Sequence, residues 1–414
     1  MKHAKTLFED QLDDQFLKLM DSKRIQDFPE KSLEATFVIY SPQTPVKYPS
    51  YFFQLHEHIM VCRKDPSKEP IAYMDILNAL MRKTSETEIE GKLYYGIRFI
   101  KKGAYEELLS PDEEVVNTWF EALKKVCLMT KFRQYFDSKK VLGKGNFAKV
   151  FLVTRKSNGE DLAVKAFSKA AIMGDSLEIK CLQYEIKMMR AVNHERIMRI
   201  QEVYEGENFV YCVLELYKGQ DLLNAIIKKG PQPELKALTL TLQLLQGLEY
   251  LHSKKIIHRD LKPENILFKH ANDSMDLGIV DLGFATYESD YKKLFVRCGT
   301  PGYVAPEVLN DLPYGCKADI FSLGVILFMI LTGNMPFQGN SYKEIVRKNM
   351  KGEVNFDFTE FKVKVSHESQ LISNGPAQTT ARKGPFKKTH GYSSYGPRCI
   401  PLPPFEVASV GQAF

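Results

Sequence analysis

The stretch Ile256-Ile257-His258-Arg259-Asp260-Leu261-Lys262-Pro263-Glu264-Asn265 places a carboxylate, an ammonium and a carboxamide on one short loop between apolar runs. Those groups at those intervals suit phosphoryl transfer. Asp260 can orient a hydroxyl and accept its proton, Lys262 can neutralise a phosphate in flight, and Asn265 can offer magnesium an oxygen ligand. A plain polar surface loop has no reason to combine so many fixed residue types.

On the N-terminal side, Leu142-Gly143-Lys144-Gly145-Asn146-Phe147-Ala148-Lys149-Val150 reads as a turn between two strands, with glycines that let backbone amides approach phosphates. Ala163-Val164-Lys165 closes a strand pattern, and Glu185 stands with Ile186, Met188 and Met189 at helical spacing. On the C-terminal side come Gly278-Ile279-Val280-Asp281-Leu282-Gly283-Phe284 and Gly299-Thr300-Pro301-Gly302-Tyr303-Val304-Ala305-Pro306-Glu307. Asp319 then falls in an apolar helix pattern through Phe321, Leu323 and Val325.

In this order the motifs resemble those of the eukaryotic protein kinases. The strings Val296 to Glu307 and Lys317 to Leu327 are most similar to the calcium/calmodulin-dependent-kinase-like group. The resemblance implies an α+β, bilobal kinase fold over residues 136–372, with a β-rich N-lobe, a helical C-lobe, and ATP and Mg2+ as cofactors. It implies catalytic roles for Asp260, Lys262, Lys165 and Glu185, with Glu178 as the alternative partner for Lys165. Leu142, Gly143, Gly145, Val150, Ala163, Lys165, Leu214, Glu215, Leu216 and Asp221 would surround the nucleotide, and Asn265 and Asp281 would hold the metal. Ala148 occupies the third glycine position of the family's loop, and Leu282 makes a D-L-G variant of its D-F-G motif. Lys262 with Pro263 and Glu264 implies serine/threonine specificity. Glu264 and Asp221 match acidic positions that basophilic members offer to an arginine, so the implied partners are protein substrates with Ser or Thr near basic residues.

Two departures bear on activity. Arg259 belongs to a kinase type that pairs this arginine with an activation-loop phosphate, yet the usual phosphothreonine place holds Val296. Thr286, Tyr287, Ser289 and Tyr291 are the remaining hydroxyls there, and none stands at the family's position. The kinase pattern also continues through Phe337, Tyr342, Ile345 to Met350 and Val365-Ser366-His367-Glu368-Ser369, then gives way from Ser373 to Gly/Pro/Ser/Lys-rich sequence. The C-lobe is therefore expected to lack its last helices and to leave the surface around Ile326 and Ile330 uncovered. The arginine that would pair with Glu307 has only Arg382 as a candidate by position. Two function classes follow: an active kinase, and an ATP-binding scaffold with poor turnover.

Ahead of the kinase pattern, β-rich runs at Thr36 to Tyr40, Tyr51 to Arg63, Ile71 to Ile76 and Leu93 to Ile100 precede a helix pattern. That helix opens at Pro111-Asp112-Glu113-Glu114 and carries Val115, Val116, Trp119, Phe120, Leu123 and Val126 on one face. Residues 35–131 thus resemble a pleckstrin-homology domain, a β-barrel with a C-terminal helix, with Trp119 in its core. The family's phosphoinositide binders pair a first-loop lysine with a second-strand cation, whereas Lys47 is followed by Tyr48, Pro49, Ser50 and Tyr51. Without a paired cation the grip on a headgroup is weak, so protein docking ranks above weak membrane or phosphoinositide contact. Residues 1–34 read as a helical extension, since Leu7, Phe8, Leu12, Phe16, Leu17 and Met20 have helical spacing.

The net charge of +6 is no argument for nucleic-acid binding. Residues 1–135 carry 20 basic and 21 acidic side chains, whereas residues 362–414 carry 7 and 2, so the excess sits in a tail, 373–414, expected to be solvated. Seven scattered cysteines without C-x-x-C spacing read as reduced thiols. The longest apolar run, Gly324 to Leu331, is too short to span a bilayer. A cytoplasmic location, peripheral at a membrane at most, is expected, and nothing in the sequence supports calmodulin dependence.

Overall fold

The computed structural model describes residues 6–8, 12, 16–19, 31–41, 48–145, 148–174, 176–271, 275–290, 297–352 and 354. They fall into two compact units, the first Met1–Ile186 with Arg199–Leu216, the second Lys187–Met198 with Tyr217–Phe414.

In the first unit the chain forms β1 (Lys18–Leu19), β2 (Leu33–Tyr40), β3 (Ser50–His56), β4 (Ile59–Arg63), β5 (Pro70–Asp75), β6 (Leu80–Lys83), β7 (Thr87–Ile89), β8 (Lys92–Lys101) and β9 (Ala104–Ser110). Alternation is visible in β2, where Phe37 and Ile39 point inward and their neighbours outward. Helix α1 (Glu113–Leu123) begins where Asp112 accepts hydrogen bonds from the Glu114 and Val115 amides, at 2.9 and 3.3 Å, with Glu113 and Glu114 in the first turn. Its inward face is Val116, Trp119, Phe120 and Leu123, and Trp119 meets Phe37 edge to face at 5.1 Å.

The chain then makes β10 (Leu128–Met129), α2 (Phe132–Tyr135), β11 (Phe136–Lys144), β12 (Ala148–Arg155), β13 (Asp161–Ser168), α3 (Lys169–Ile172), α4 (Ser176–Ala191), β14 (Ile200–Glu205) and β15 (Phe209–Leu214). Two residues decide how these join the earlier strands. In β10, Leu128 pairs in parallel with Leu80 of β6 on one side and Val203 of β14 on the other. One sheet consequently runs β1-β5-β4-β3-β2-β9-β8-β6-β10-β14-β15-β13-β12-β11. The boundary read from the sequence at residues 131–136 lies inside it. A single apolar core follows the sheet from Phe37, Met60 and Trp119 to Phe132, Phe136, Tyr204 and Val213. Phe132 stacks on Tyr211 at 4.2 Å and on Phe136 at 5.0 Å.

The first residues differ from the expected helical extension. Leu7 and Phe8 lie in a turn, and Lys18 and Leu19 pair antiparallel with Tyr73 and Ala72 of β5. Their apolar spacing still places Phe8, Leu12 and Phe16 in the interior. Met20 and Lys47 lie outside the described residues.

The second unit contains α5 (Leu222–Lys229), α6 (Glu234–Ser253), β16 (Ile256–Ile257), a 3-10 turn (Pro263–Asn265), β17 (Ile266–Phe268), β18 (Leu277–Ile279), β19 (Thr286–Tyr287), α7 (Pro306–Leu309), α8 (Lys317–Thr332) and α9 (Tyr342–Lys351). Helix α8 is apolar on every side and is buried from Phe321 to Thr332. Ile326 and Ile330 are both fully buried, which corrects the uncovered surface expected there. A helix hydrophobic all round occupies the middle of its unit and has neighbours on each face. The most exposed large apolar side chains described in this unit are instead Leu235 and Leu242 on α6 and Ile227 on α5. Val365 to Ser369, Arg382 and the tail 373–414 lie outside the described residues. Among the described residues no helix is long and apolar enough to cross a membrane, and six cysteines are free.

Truncating Trp119 to alanine should cost about 3–5 kcal/mol. Because one core spans the sheet, urea should unfold β2–β9 and β11–β15 in a single shared transition, read by near-ultraviolet dichroism and by exchange of the β13 amides. A second expectation concerns Glu106 in β9, which has a buried carboxylate oxygen without a hydrogen-bond partner among the described residues. Burial pushes its carboxyl up to about 7, with the Lys101 ammonium opposing. The folded value lies above the unfolded one, so the stabilisation is complete below about pH 4 and is lost as pH rises through about 7. The melting temperature should fall between pH 5 and 8, and Glu106→Gln should flatten that slope.

Candidate functional site

In the first unit, antiparallel pairing puts a set of side chains on one face of the sheet. Val150 of β12 lies opposite Lys165 of β13, and Ala163 lies opposite Leu214 of β15. Ala163 and Lys165 are two apart in one strand, so all four share that face. Lys165 Nζ donates to Glu185 Oε1 at 2.6 Å, with both side chains largely buried. This pairing distinguishes Glu185 from the alternative, Glu178. The Glu215 carboxylate is taken by Arg199, while its amide bonds to the Arg199 carbonyl at 3.2 Å.

The hairpin between β11 and β12 carries Gly143 opposite Val150, and the Gly145 amide bonds to the Ala148 carbonyl at 2.8 Å. A Cβ on Gly143 would meet nothing within 4 Å, and one on Gly145 only the Ala148 carbonyl at 3.5 Å; neither has positive φ. Packing does not demand these glycines. What their absent side chains provide is open access to the backbone amides, which fits a triphosphate. Leu142 is exposed beside them, and Asn146 and Phe147 lie outside the described residues.

In the second unit the catalytic-loop residues converge. The Thr300 hydroxyl donates to Asp260 Oδ1 at 2.7 Å, Lys262 Nζ donates to Thr300 Oγ1 at 2.9 Å, and Lys262 Nζ lies 2.9 Å from Asp260 Oδ2. Asn265 Nδ2 donates to the Asp260 carbonyl at 2.8 Å and to Oδ2 at 3.2 Å. A carboxylate offers about four acceptor positions, so Asp260 keeps capacity for one more hydroxyl. The loop is held from below by Asp319, 1% exposed, which accepts from the His258 and Arg259 amides at 2.9 Å each. His252 Nε2 lies 2.8 Å from the same carboxylate. Arg259 has φ 69°, and its carbonyl comes so near Gly299 that a Cβ there would stand 2.5 Å away. Only glycine fits that place, which brings Thr300 against Asp260.

Asn265 and Asp281 flank the paired end of β17 and β18, where Ile266 lies opposite Ile279 and the Val280 amide donates to the Asn265 carbonyl at 2.9 Å. Asp281 is exposed at φ 64°, and Leu282 is buried, as its apolar role requires. Two carboxamide and carboxylate oxygens brought to one edge suit a hard cation such as Mg2+. Glu264 has one carboxylate oxygen buried without a hydrogen-bond partner among the described residues, and burial raises its pKa, with Lys262 opposing and Asp260 and Asp221 adding to the rise. Asp221 is the N-cap of α5, accepting from the Asn224 amide at 2.7 Å and its side-chain amide at 2.6 Å.

Arg259 donates to the Phe284 carbonyl at 2.6 Å and the Tyr314 hydroxyl at 3.2 Å. Of the hydroxyls weighed as phosphorylation sites, Thr286 is fully buried in β19, Tyr287 is half-buried beside it, Ser289 is exposed, and Tyr291 lies outside the described residues, as does Val296 at the family's position. Glu307 Oε2 is buried without a partner among the described residues, and burial raises that carboxyl as well. The sequence did not assign the bridging role of Thr300 or the His252 contact. The first could have been inferred from the fixed Gly299-Thr300-Pro301 string, whereas nothing in the sequence ties His252 to Asp319 across 67 residues.

Residues 136–383 match the family model described as the protein kinase domain. The chain is 40% identical over 226 residues to a probable serine/threonine-protein kinase 2 of Plasmodium falciparum, covering 55% of this chain and 43% of that one. It is 39% identical over 229 residues to a calcium/calmodulin-dependent protein kinase type 1 of Caenorhabditis briggsae, covering 55% and 63%. To a calcium-dependent protein kinase 4 of Plasmodium berghei it is 34% identical over 288 residues, covering 68% and 54%. The chain thus spans about half the length of the curated relatives it matches.

Replacing Asp319 by alanine strands two buried amides, each costing about 1–3 kcal/mol. The second unit should lose roughly 2–5 kcal/mol in urea unfolding, with much faster exchange at His258 and Arg259; Asp319→Asn, which keeps one acceptor oxygen, should lose less.

Proposed function

This chain belongs to the protein kinase family, and from that premise we propose that it transfers the γ-phosphate of ATP to serine and threonine hydroxyls of proteins. The observation that carries this reading is the closed arrangement of Asp260, Lys262, Thr300 and Asn265 on a loop fixed by Asp319. Lys165, held by Glu185, is the cation for the α- and β-phosphates, and the hairpin from Gly143 to Gly145, whose glycines leave its backbone open, lies against the triphosphate. Asp260 orients the acceptor hydroxyl and takes its proton. Lys262 stabilises the charge on the phosphoryl oxygens in the transition state. When bound by Asn265 and Asp281, magnesium would supply neutralisation of the phosphate charge.

A basic sequence context for the substrate is supported by Glu264, whose carboxylate oxygen, without a partner among the described residues, would gain a charge-assisted bond from an arginine. Asp221, already engaged as a helix cap, contributes its charge to the same region. The segment from β2 to α1, an antiparallel set of strands followed by one tryptophan-bearing helix, supports a pleckstrin-homology-like module used for docking to protein. Its location would be cytoplasmic, with at most weak contact to phosphoinositide membranes. The alternative reading is a nucleotide-binding scaffold, which an unpaired Glu307 would favour: its buried Oε2 has no partner among the described residues, and Arg382 lies outside them.

The full-length chain should phosphorylate an arginine-containing serine peptide, and Asp281→Asn should abolish transfer, because an amide cannot replace the anionic ligand. Glu264→Gln should raise KM for that peptide about tenfold and leave KM for ATP unchanged. Wild-type turnover by the Asp281 variant would contradict the metal assignment, and nucleotide binding without turnover by the parent chain would favour the scaffold. In vesicle sedimentation the full chain should bind phosphoinositide vesicles no better than phosphatidylcholine ones; tight binding lost on Lys47→Ala would contradict the docking role.

A further inference from the structure

We propose that Thr6, Leu7 and Phe8 form an intramolecular clasp that positions α4, and with it Glu185, for phosphoryl transfer, an inference that rests on the kinase reading above. The three residues grip the first unit at two points. At the end of β14, Glu205 is 8% exposed and accepts the Thr6 hydroxyl and the Leu7 amide, the latter at 2.9 Å. On α4, the Gln183 side-chain amide donates to the Leu7 carbonyl at 2.5 Å. Gln183 is itself 4% exposed, and Phe8 is completely buried, so these contacts are not a surface accident. Phe8 also lies outside the core shared by Trp119 and Tyr204, which means that its burial does not serve the docking module.

The geometry relative to Glu185 gives the clasp its function. Gln183 precedes Glu185 by two residues, which places the two side chains about 200° apart around the helix. Lys165 therefore holds one face of α4 while the Leu7 carbonyl holds the opposite one. The same Glu205 carboxylate accepts Lys169 Nζ at 2.6 Å, and Lys169 opens α3 directly after the strand that carries Lys165. One carboxylate thus ties Thr6 and Leu7, the end of β14 and the continuation of β13 together. Gln183, Glu205 and Phe8 act here as positioning residues, since none of them is placed against substrate.

Exchange of the α4 amides in the full-length chain, with steady-state kinetics in parallel, tests this. Phe8→Ala and Gln183→Leu should each speed α4 exchange about tenfold, with β8 and α6 unchanged. Each should also raise KM for ATP several-fold while KM for the peptide stays put. A synthetic peptide of residues 1–20 should restore slow α4 exchange in the Phe8→Ala chain. Exchange within twofold of the parent chain in both variants would overturn the clasp, and so would equal acceleration across the whole first unit, which would mark a purely structural role. If the parent chain shows no transfer but α4 responds as described, the clasp stands and the kinase reading fails; an active parent with an unresponsive α4 gives the reverse.

Discussion

The acceptance of two consecutive backbone amides, those of His258 and Arg259, by the buried Asp319 carboxylate is the constraint on which the site depends. A loop that carries Asp260, Lys262 and Asn265 has no ladder of its own and would sample many conformations, each residue costing about 1–2 kcal/mol to fix. Charge-assisted bonds to the backbone supply the fixing without using the functional side chains. They also hold Arg259 in the left-handed region, which turns its carbonyl onto Gly299 and sets Thr300 against Asp260. Helix α8 can keep such a carboxylate buried because the His258 and Arg259 amides donate to it and His252 Nε2 lies 2.8 Å away, which offsets the cost of placing a charge among apolar side chains.

A second constraint organises the first unit. Two residues of β10, bonded to β6 and to β14, make strands β1–β9 and strands β11–β15 one sheet with one core. Strands β2 to β9 joined in this way are no bead on a string. Strain or stabilisation introduced at β2–β9 is felt in the packing of Phe132, Phe136 and Tyr204, and Tyr204 donates to Glu202, which also pairs with Arg155 of β12. Changes at β2–β9 are therefore in a position to reach the strand that carries Lys165.

Much of this arrangement was legible in the sequence because it is written locally. The short loop from His258 to Asn265, the glycine hairpin and the capped helix ending at Leu123 are each specified by residues within a few positions of one another. The resemblance pointed to a helix carboxylate as the partner of Lys165 and left Glu178 open beside Glu185; the Lys165 contact at 2.6 Å is with Glu185. What was not legible is written across the chain. The bridging by Leu128 and Met129 depends on edges of two sets of strands that no local pattern reveals. The helical spacing of Leu7 to Phe16 was real as a pattern of burial, but Lys18 and Leu19 found a partner in β5 and formed a strand. Tertiary pairing overrode a weak local preference. For Ile326 and Ile330 the error came from assuming which elements cover α8; an all-round apolar helix signals burial by itself.

Single-turnover transfer of labelled γ-phosphate to a serine peptide, with ATP affinity measured on the same samples, tests the central claim most directly. Comparison of the full-length chain with its Asp260→Asn variant should give a loss in rate of about 10²–10⁴-fold, while nucleotide affinity changes less than threefold. Equal rates in the two proteins, or loss of nucleotide affinity in step with rate, would contradict the assignment of Asp260 as the group that orients the acceptor hydroxyl and takes its proton.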